Sequence, residues 1–309
     1  MTNKELYKEL CETEGSKIPL FLQYWWMETV CEGKHWDVLL VCDHQGKVVA
    51  AMPYLIGSKI GLRYVLQPQL TQYNGPWYDP HAGIPVSELD RELIAELNNL
   101  HLLLFQQNFS PSVSNLEAWK DYRVSARRTY RIEDISNPQQ VFEHFDKSRR
   151  QRQIRRAEKV LTPVEDLTPE RFAQFHNEYW QSKGEKDLLS HDFIVRVVSQ
   201  AIQRGQGVLL GLKDDKEVLR AARFVAFDSD SAYALLSALH PEQHPNGASA
   251  MLFWLIIQRL SKHTRSFDFE GSMDAKIAYS YSLYGAKPVT YYQVRRIRPL
   301  CIIPKLSAL

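Results

Sequence analysis

Long hydrophobic runs are missing from this 309-residue chain. No stretch approaches the roughly 18 to 20 consecutive apolar residues that a membrane-crossing helix needs, so no transmembrane helix is expected. Cysteine is scarce: Cys11, Cys31, Cys42 and Cys301 form no CxxC pair and show no metal-ligand spacing. A disulfide scaffold and a zinc site are both disfavoured, and buried reduced thiols are expected instead. The ten histidines make no HxH or HExxH set, so no metal is expected. Phosphate-binding P-loops, GxGxxG fingerprints and GxSxG elbows are absent too, which argues against nucleotide-dependent and hydrolase readings built on those motifs. Low-complexity segments are lacking, and with them any case for extended disorder. The opening Met1–Gly15 stretch is polar and acidic, unlike a secretory signal, so a cytoplasmic location is expected.

What remains is an ordinary globular composition: 44% hydrophobic and 24% charged. The length suggests two domains. The formal net charge is only +2, but residues 1–126 carry more acid than base and residues 127–309 the reverse. That asymmetry implies two units, at 1–126 and 127–309, with an anionic ligand on the second.

Along the first half, helices fit the opening segment and Leu22–Cys31. Strands fit Trp36–Cys42, Lys47–Leu55 and Leu62–Leu66, the first two joined by a hairpin turn at Asp43-His44-Gln45-Gly46. A long polar-aromatic loop fills 67–85. The leucine stripe 89, 93, 97, 100 and 104 predicts a helix over Ser87–Gln107, followed by a strand at Pro111–Leu116. The second half predicts a strand at Arg128–Ile132 and helices at Pro138–Phe145 and Ser148–Val160. A strand at Thr162–Glu165 precedes helices over about 169–182 and 191–204. Three strands then run in close order at Gly207–Lys213, Val218–Asp228 and Ser231–Leu239. A helix from Gly247 to Lys262, a strand at Ser266–Phe269, a helix at Ala275–Tyr284 and a strand at Val289–Arg295 complete it.

Chemistry concentrates in five places. After Leu239 a Pro-rich loop leads into a helix near Asn246. The free amides and dipole of a helix start attract anions, and Gly247, Ala248 and Ser249 let a ligand approach the backbone. A plain helix cap is the competing reading. Glu270 ends the strand of Phe267-Asp268-Phe269 beside Gly271, where a buried carboxylate can take a proton from an amine; a helix-capping or salt-bridging acid is the alternative. Tyr279, Tyr281 and Tyr284 are each able to give a proton to a leaving group, or simply to fill the core. The run Lys147–Lys159 holds seven positive charges against one negative, with Arg149, Arg152, Arg156 and Lys159 on one predicted helix face. Such a face suits phosphates of a nucleotide, an RNA or a lipid surface, or is merely solvated. Gln67–Trp77, with Tyr73 and Asn74, suits an extended polar ligand or an aromatic-packed linker.

The order of elements in the second half resembles a GNAT-fold acyltransferase: a strand meander, an anion-binding helix start, a strand ending in Glu270, a helix, then Leu283-Tyr284-Gly285-Ala286-Lys287-Pro288 into a last strand. Phe267-Asp-Phe-Glu-Gly-Ser-Met273 with Tyr284-Gly285 more narrowly resembles the Fem-type branch, as does the Arg/Lys-rich segment with Ser148, Arg152, Ile154, Arg155, Ala157 and Lys159. Trp36–Leu66 with Gln67–Trp77 resembles that branch's first domain. The resemblance implies an α/β protein of two GNAT-like domains, each a mixed, mostly antiparallel sheet flanked by helices. It implies N-acyl transfer from acyl-CoA or aminoacyl-tRNA, as co-substrate, to an amine of a cell-envelope or small-molecule acceptor, with tRNA and peripheral membrane contact as partners.

On this reading Glu270 and Tyr284 are the expected catalytic residues. Leu239, Asn246, Gly247, Ala248, Ser249, Arg149, Arg152 and Arg156 are expected to hold the donor, and Tyr73, Asn74 and Ser272 the acceptor. One departure stands out. Acyl-CoA enzymes of this type carry a basic or amide residue and a first glycine at the helix start, where this chain has Glu242 and Pro245. An acid repels pyrophosphate and a proline removes an amide donor. A catalytically silent scaffold and a nucleic-acid-binding module therefore stay open beside the transferase.

Overall fold

The computed structural model describes residues 1–185, 187–241, 247–271 and 273–298. The chain divides into two compact units: Met1–Arg127 together with Thr290–Leu309, and Arg128–Val289. The last strand thus groups with the first unit, although it follows the second in sequence.

Unit 1 opens with helix α1 (Asn3–Glu14), closed at its start by a capping box in which Thr2 and Glu5 serve each other's backbone N–H. Helix α2 (Tyr24–Val30) follows, then strands β1 (His35–Cys42), β2 (Val48–Lys59) and β3 (Leu62–Leu66), the short β4 (Trp77–Tyr78), helix α3 (Val86–Asn99) and strand β5 (Leu104–Phe109). Strand β12 (Lys287–Ile297) completes the sheet order β1-β2-β3-β5-β12, with β4 on β2. Neighbours are antiparallel except the parallel β3–β5 pair. Leu89, Leu93 and Leu97 of α3 form its buried stripe and join Met52, Phe105, Phe109 and Trp119 in one core.

The expected helix through Gln107 ends at Asn99 instead. His101 adopts a left-handed backbone (φ 50°), and Phe105, Gln107 and Phe109 then alternate inward as a strand does. The period-2 pattern overrides the leucine stripe at residue 104, and Pro111–Leu116 forms a loop rather than a strand. Cys31 is buried, with its thiol pushed up to about 12 by desolvation, whereas Cys42 is exposed against expectation. Cys301 lies outside the described residues.

Strand β6 (Arg123–Ile132), which enters unit 2 at Arg128, leads into helix α4 (Pro138–His144), a π-helical turn at Lys147–Gln151, helix α5 (Arg152–Ala157) and strand β7 (Thr162–Val164). Helices α6 (Pro169–Ser182) and α7 (His191–Gln203) start on Thr168 and Ser190, whose hydroxyls cap the first turns. Strands β8 (Gly207–Lys213), β9 (Leu219–Phe227) and β10 (Ser231–Leu239) form an antiparallel meander. Helix α8 (Ala248–Leu260), strand β11 (Ser266–Asp268) and helix α9 (Ala275–Ser282) close the unit. Its strand order is β6-β11-β10-β9-β8-β7, antiparallel except for β10 against β11. Met251, Phe253, Ile256 and Ile257 of α8 bury against Leu210, Leu212, Ala221 and Val225 on one sheet face. The single helix expected over Ser148–Val160 is split by the π turn, which alters the spacing of its arginines. Among the described residues no helix is long and apolar enough to cross a membrane.

Candidate active site

Strands β10 and β11 pair in parallel only over Ser231–Tyr233 and Ser266–Asp268. Beyond that β10 runs on to Leu239, held on its other side by β9. A register irregularity between Tyr233 and Leu236, a bulge, falls where β11 is left behind. The His240 N–H donates to the Arg220 carbonyl at 2.9 Å. Antiparallel alternation then makes Ala238–Ala222 a bonded pair and Leu239–Ala221 a non-bonded one. The N–H groups of Ser237 and Leu239 consequently face away from β9, towards the side that β11 has vacated. Leu239, expected to hold the donor, thus offers an amide to this wedge.

Helix α8 begins beside it. Gly247 is its N-cap, with φ 107°, and a Cβ there would stand 2.3 Å from the Gln153 carbonyl oxygen. Only glycine allows this close seating on α5. Gly247 has no side chain to cap the helix, and among the described residues none bonds its first-turn amides. Ala248 is buried and Ser249 half-buried, the latter's Oγ accepting a hydrogen bond from Arg223 at 3.1 Å. Asn246 lies outside the described residues, as does Ser272.

The basic segment divides by role. Arg149 donates to the Tyr279 hydroxyl at 2.7 Å, and Arg150 binds Ser280 and Gln153 while stacking over the Tyr284 ring at 4.5 Å. Both therefore tie the π turn to α9. Arg152 and Arg156 remain exposed on α5 and open to an anion.

At the end of β11, Asp268 is fully buried. Its carboxylate accepts hydrogen bonds from the Thr129 hydroxyl, from Arg131 at 3.3 Å and from the Glu270 N–H at 2.8 Å. Burial raises its affinity for a proton, partly offset by Arg131. Glu270 follows in a left-handed conformation (φ 71°), uncommon for a side chain of its size. Its Oε1 is buried without a hydrogen-bond partner. Desolvation, reinforced by the Asp268 charge, holds its carboxyl well above the usual carboxylate range. Such a group is a stronger base than an exposed glutamate.

Glu270 and Asp268 in turn push the Tyr281 hydroxyl up, after burial, while Arg223 pulls it down. Tyr284 is more enclosed: 2% exposed, walled by Phe145, Phe253 and Phe269, and pushed up to about 12 by burial. Of the two, Tyr281 is the one whose hydroxyl the Glu270 charge pushes up. Arg223, Asp268 and Thr129 were not among the expected site residues. Strand alternation was the available signal for Arg223, because it shares a face with the inward Ala221, Val225 and Phe227.

In unit 1, Tyr73 and Asn74 are buried. Tyr73 packs edge-on to Phe21 and Tyr291, and Asn74 accepts from Gln107 at 2.7 Å and lies against Met27. Buried to this degree, they fasten their loop rather than present it to solvent.

Residues 147–280 match the family profile described as an acetyltransferase (GNAT) domain. That matched segment makes up most of unit 2. The chain's structure is similar to that of FemX (TM-score 0.63, 12% identity, covering 87% of this chain and 90% of that one). It is also similar to the C-terminal domain of a putative lysylphosphatidylglycerol synthetase from Agrobacterium fabrum (0.60, 13%, 94% and 92%). A third likeness is to a tandem GNAT protein from the clavulanic acid biosynthesis pathway (0.56, 13%, 96% and 94%). At these identities the likeness is one of fold. No curated protein matches the chain in sequence.

Proposed function

We propose that this protein transfers an acyl or aminoacyl group from an activated donor to an amine of a cell-envelope or small-molecule acceptor. The observation that carries the reading is the wedge: outward amides of Ser237 and Leu239 on one strand, and the buried, unpartnered Oε1 of Glu270 at the end of the other. The donor carbonyl sits in the wedge, where preset N–H groups stabilise the oxyanion that forms as the amine attacks. Glu270 takes the proton from the attacking nitrogen. Collapse of the intermediate expels the donor's sulfur or oxygen, and the Tyr281 hydroxyl protonates it. Holding both reactants in one cleft supplies much of the remaining acceleration.

Arg152 and Arg156 suit the phosphates of either an acyl-CoA or an aminoacyl-tRNA, while the α8 start holds the donor nearer its acyl end. A cytoplasmic protein with peripheral membrane contact fits an envelope acceptor. Glu242 and Pro245 weigh against CoA pyrophosphate and favour a second reading, a silent scaffold.

The test is direct donor binding. Calorimetry with acetyl-CoA and filter retention of charged tRNA, with deacylated tRNA as control, separate the two donors. Binding of either, followed by transfer to an amine panel, is expected. Folded protein that binds neither donor leaves the scaffold as the better reading.

A further inference from the structure

Arg223 is a buried cation for which the described residues supply no counter-charge. It is 6% exposed, lies mid-strand on β9, and among the described residues no carboxylate pairs with it. Its Nη2 donates to the Ser249 Oγ at 3.1 Å, its guanidinium stacks on the Phe253 ring at 3.6 Å, and its Nε is buried with no acceptor. Burial pulls its acidity only to about 10, so it stays fully charged at neutral pH. The Tyr281 and Tyr284 hydroxyls face it as neutral groups.

A guanidinium has five donors, and this one spends a single donor on a serine. Burying a charge without an opposite partner is strongly unfavourable, and an apolar side chain of similar volume would serve packing better. The position is also specific. Arg223 is the cross-strand partner of Ser237, whose N–H faces the wedge, and it touches the second residue of α8, whose first turn is uncapped. An unpaired buried cation, free helix amides and the wedge therefore converge on one place.

We infer that Arg223 and the first turn of α8 form a recognition site for a carboxylate carried on the group being transferred. A planar guanidinium on an aromatic ring matches the flat, two-oxygen edge of a carboxylate. The donor's acyl group would then be acidic, a dicarboxylic half-ester or half-thioester. Charge complementarity at Arg223 would reject an unsubstituted acetyl group, because that group leaves the cation unpaired.

The inference rests on the acyl-transfer reading only for what the carboxylate is attached to, so its test uses binding alone. The intact chain is titrated with succinate, and separately with inorganic phosphate at matched ionic strength. The readouts are calorimetry and the thermal midpoint, for wild type, Arg223→Met and Arg223→Lys. Succinate is expected to bind and to raise the wild-type midpoint. Arg223→Met is expected to melt higher than wild type without ligand, since it removes an unpaired charge, while its succinate affinity falls at least roughly tenfold. Arg223→Lys is expected to keep the charge but lose the fork, with weakened binding. Two results overturn the inference. One is a folded Arg223→Met that melts lower than wild type and binds succinate equally, which makes Arg223 a structural residue. The other is a site that takes phosphate and not succinate. Either leaves transfer of uncharged acyl groups standing.

Discussion

Gly247→Ala offers the sharpest quantitative test of how α8 is seated. The native φ of 107° lies where side-chain-bearing residues are rarely found, and forcing alanine into such a backbone costs about 1–2 kcal/mol. The new Cβ would also stand 2.3 Å from the Gln153 carbonyl oxygen and 2.7 Å from its carbon, closer than the 3.0 Å that real contacts respect. Backbone cannot swing aside as a long side chain does, so α8 must lift from α5, adding about 1–3 kcal/mol of overpacking strain. The sum is roughly 3 kcal/mol, which for a unit of this size lowers the thermal midpoint by about 6–12 °C. Gly205→Ala is the control: it has a comparable positive φ of 68° but nothing within 4 Å of the added carbon, so only the conformational cost applies. Differential scanning calorimetry of both variants separates strain from collision. Equal midpoints would refute the claim that glycine is needed for the close approach to Gln153.

Glu270→Gln is expected to lower turnover by at least roughly a hundredfold. Because the folded carboxyl holds its proton more tightly than the unfolded one, its contribution to stability is full below the ordinary carboxylate range and fades as pH rises through its raised value. Glu270→Gln should accordingly match wild-type stability in acid and exceed it at neutral and higher pH, with no difference at any pH refuting the burial of that charge. Asp268→Asn removes the carboxylate beside buried Arg131 and should cost roughly 3–5 kcal/mol by denaturant titration; a loss under 1 kcal/mol would contradict the pairing. Replacing Arg152 and Arg156 with Gln should weaken donor binding and flatten its salt dependence while leaving the thermal midpoint nearly unchanged, and undiminished affinity would remove them from the donor site.

Much of unit 2 was legible because local chemistry and pattern agree there. Thr168-Pro169 and Ser190 start helices by capping, and the three close strands are separated by short polar turns. The strand that ends just before Glu270 was legible in the Phe-Asp-Phe alternation. Other features required the third dimension. Leucines at 97, 100 and 104 keep helical spacing although the chain has already reversed at His101. The π turn arises where Asp146 caps and Arg150 anchors to α9, contacts that no periodicity encodes. Arg223 looks like an ordinary strand arginine until its burial against Ser249 and Phe253, with no carboxylate partner among the described residues, is seen.

Strand β12 has a consequence for how the protein comes to be folded. Unit 1 lacks its β5 neighbour until Tyr292–Ile297 has been synthesised, and Gln293 meets Asn108 at a sequence separation of 185. Val294, fully buried, completes the same core that Phe105 and Phe109 begin. Unit 2 is continuous in sequence and unit 1 is not. On the ribosome, the segment made first must therefore wait for the segment made last. During that wait the edge of β5 is an unsatisfied template, the stage at which a growing chain is most exposed to mispairing and most in need of a chaperone.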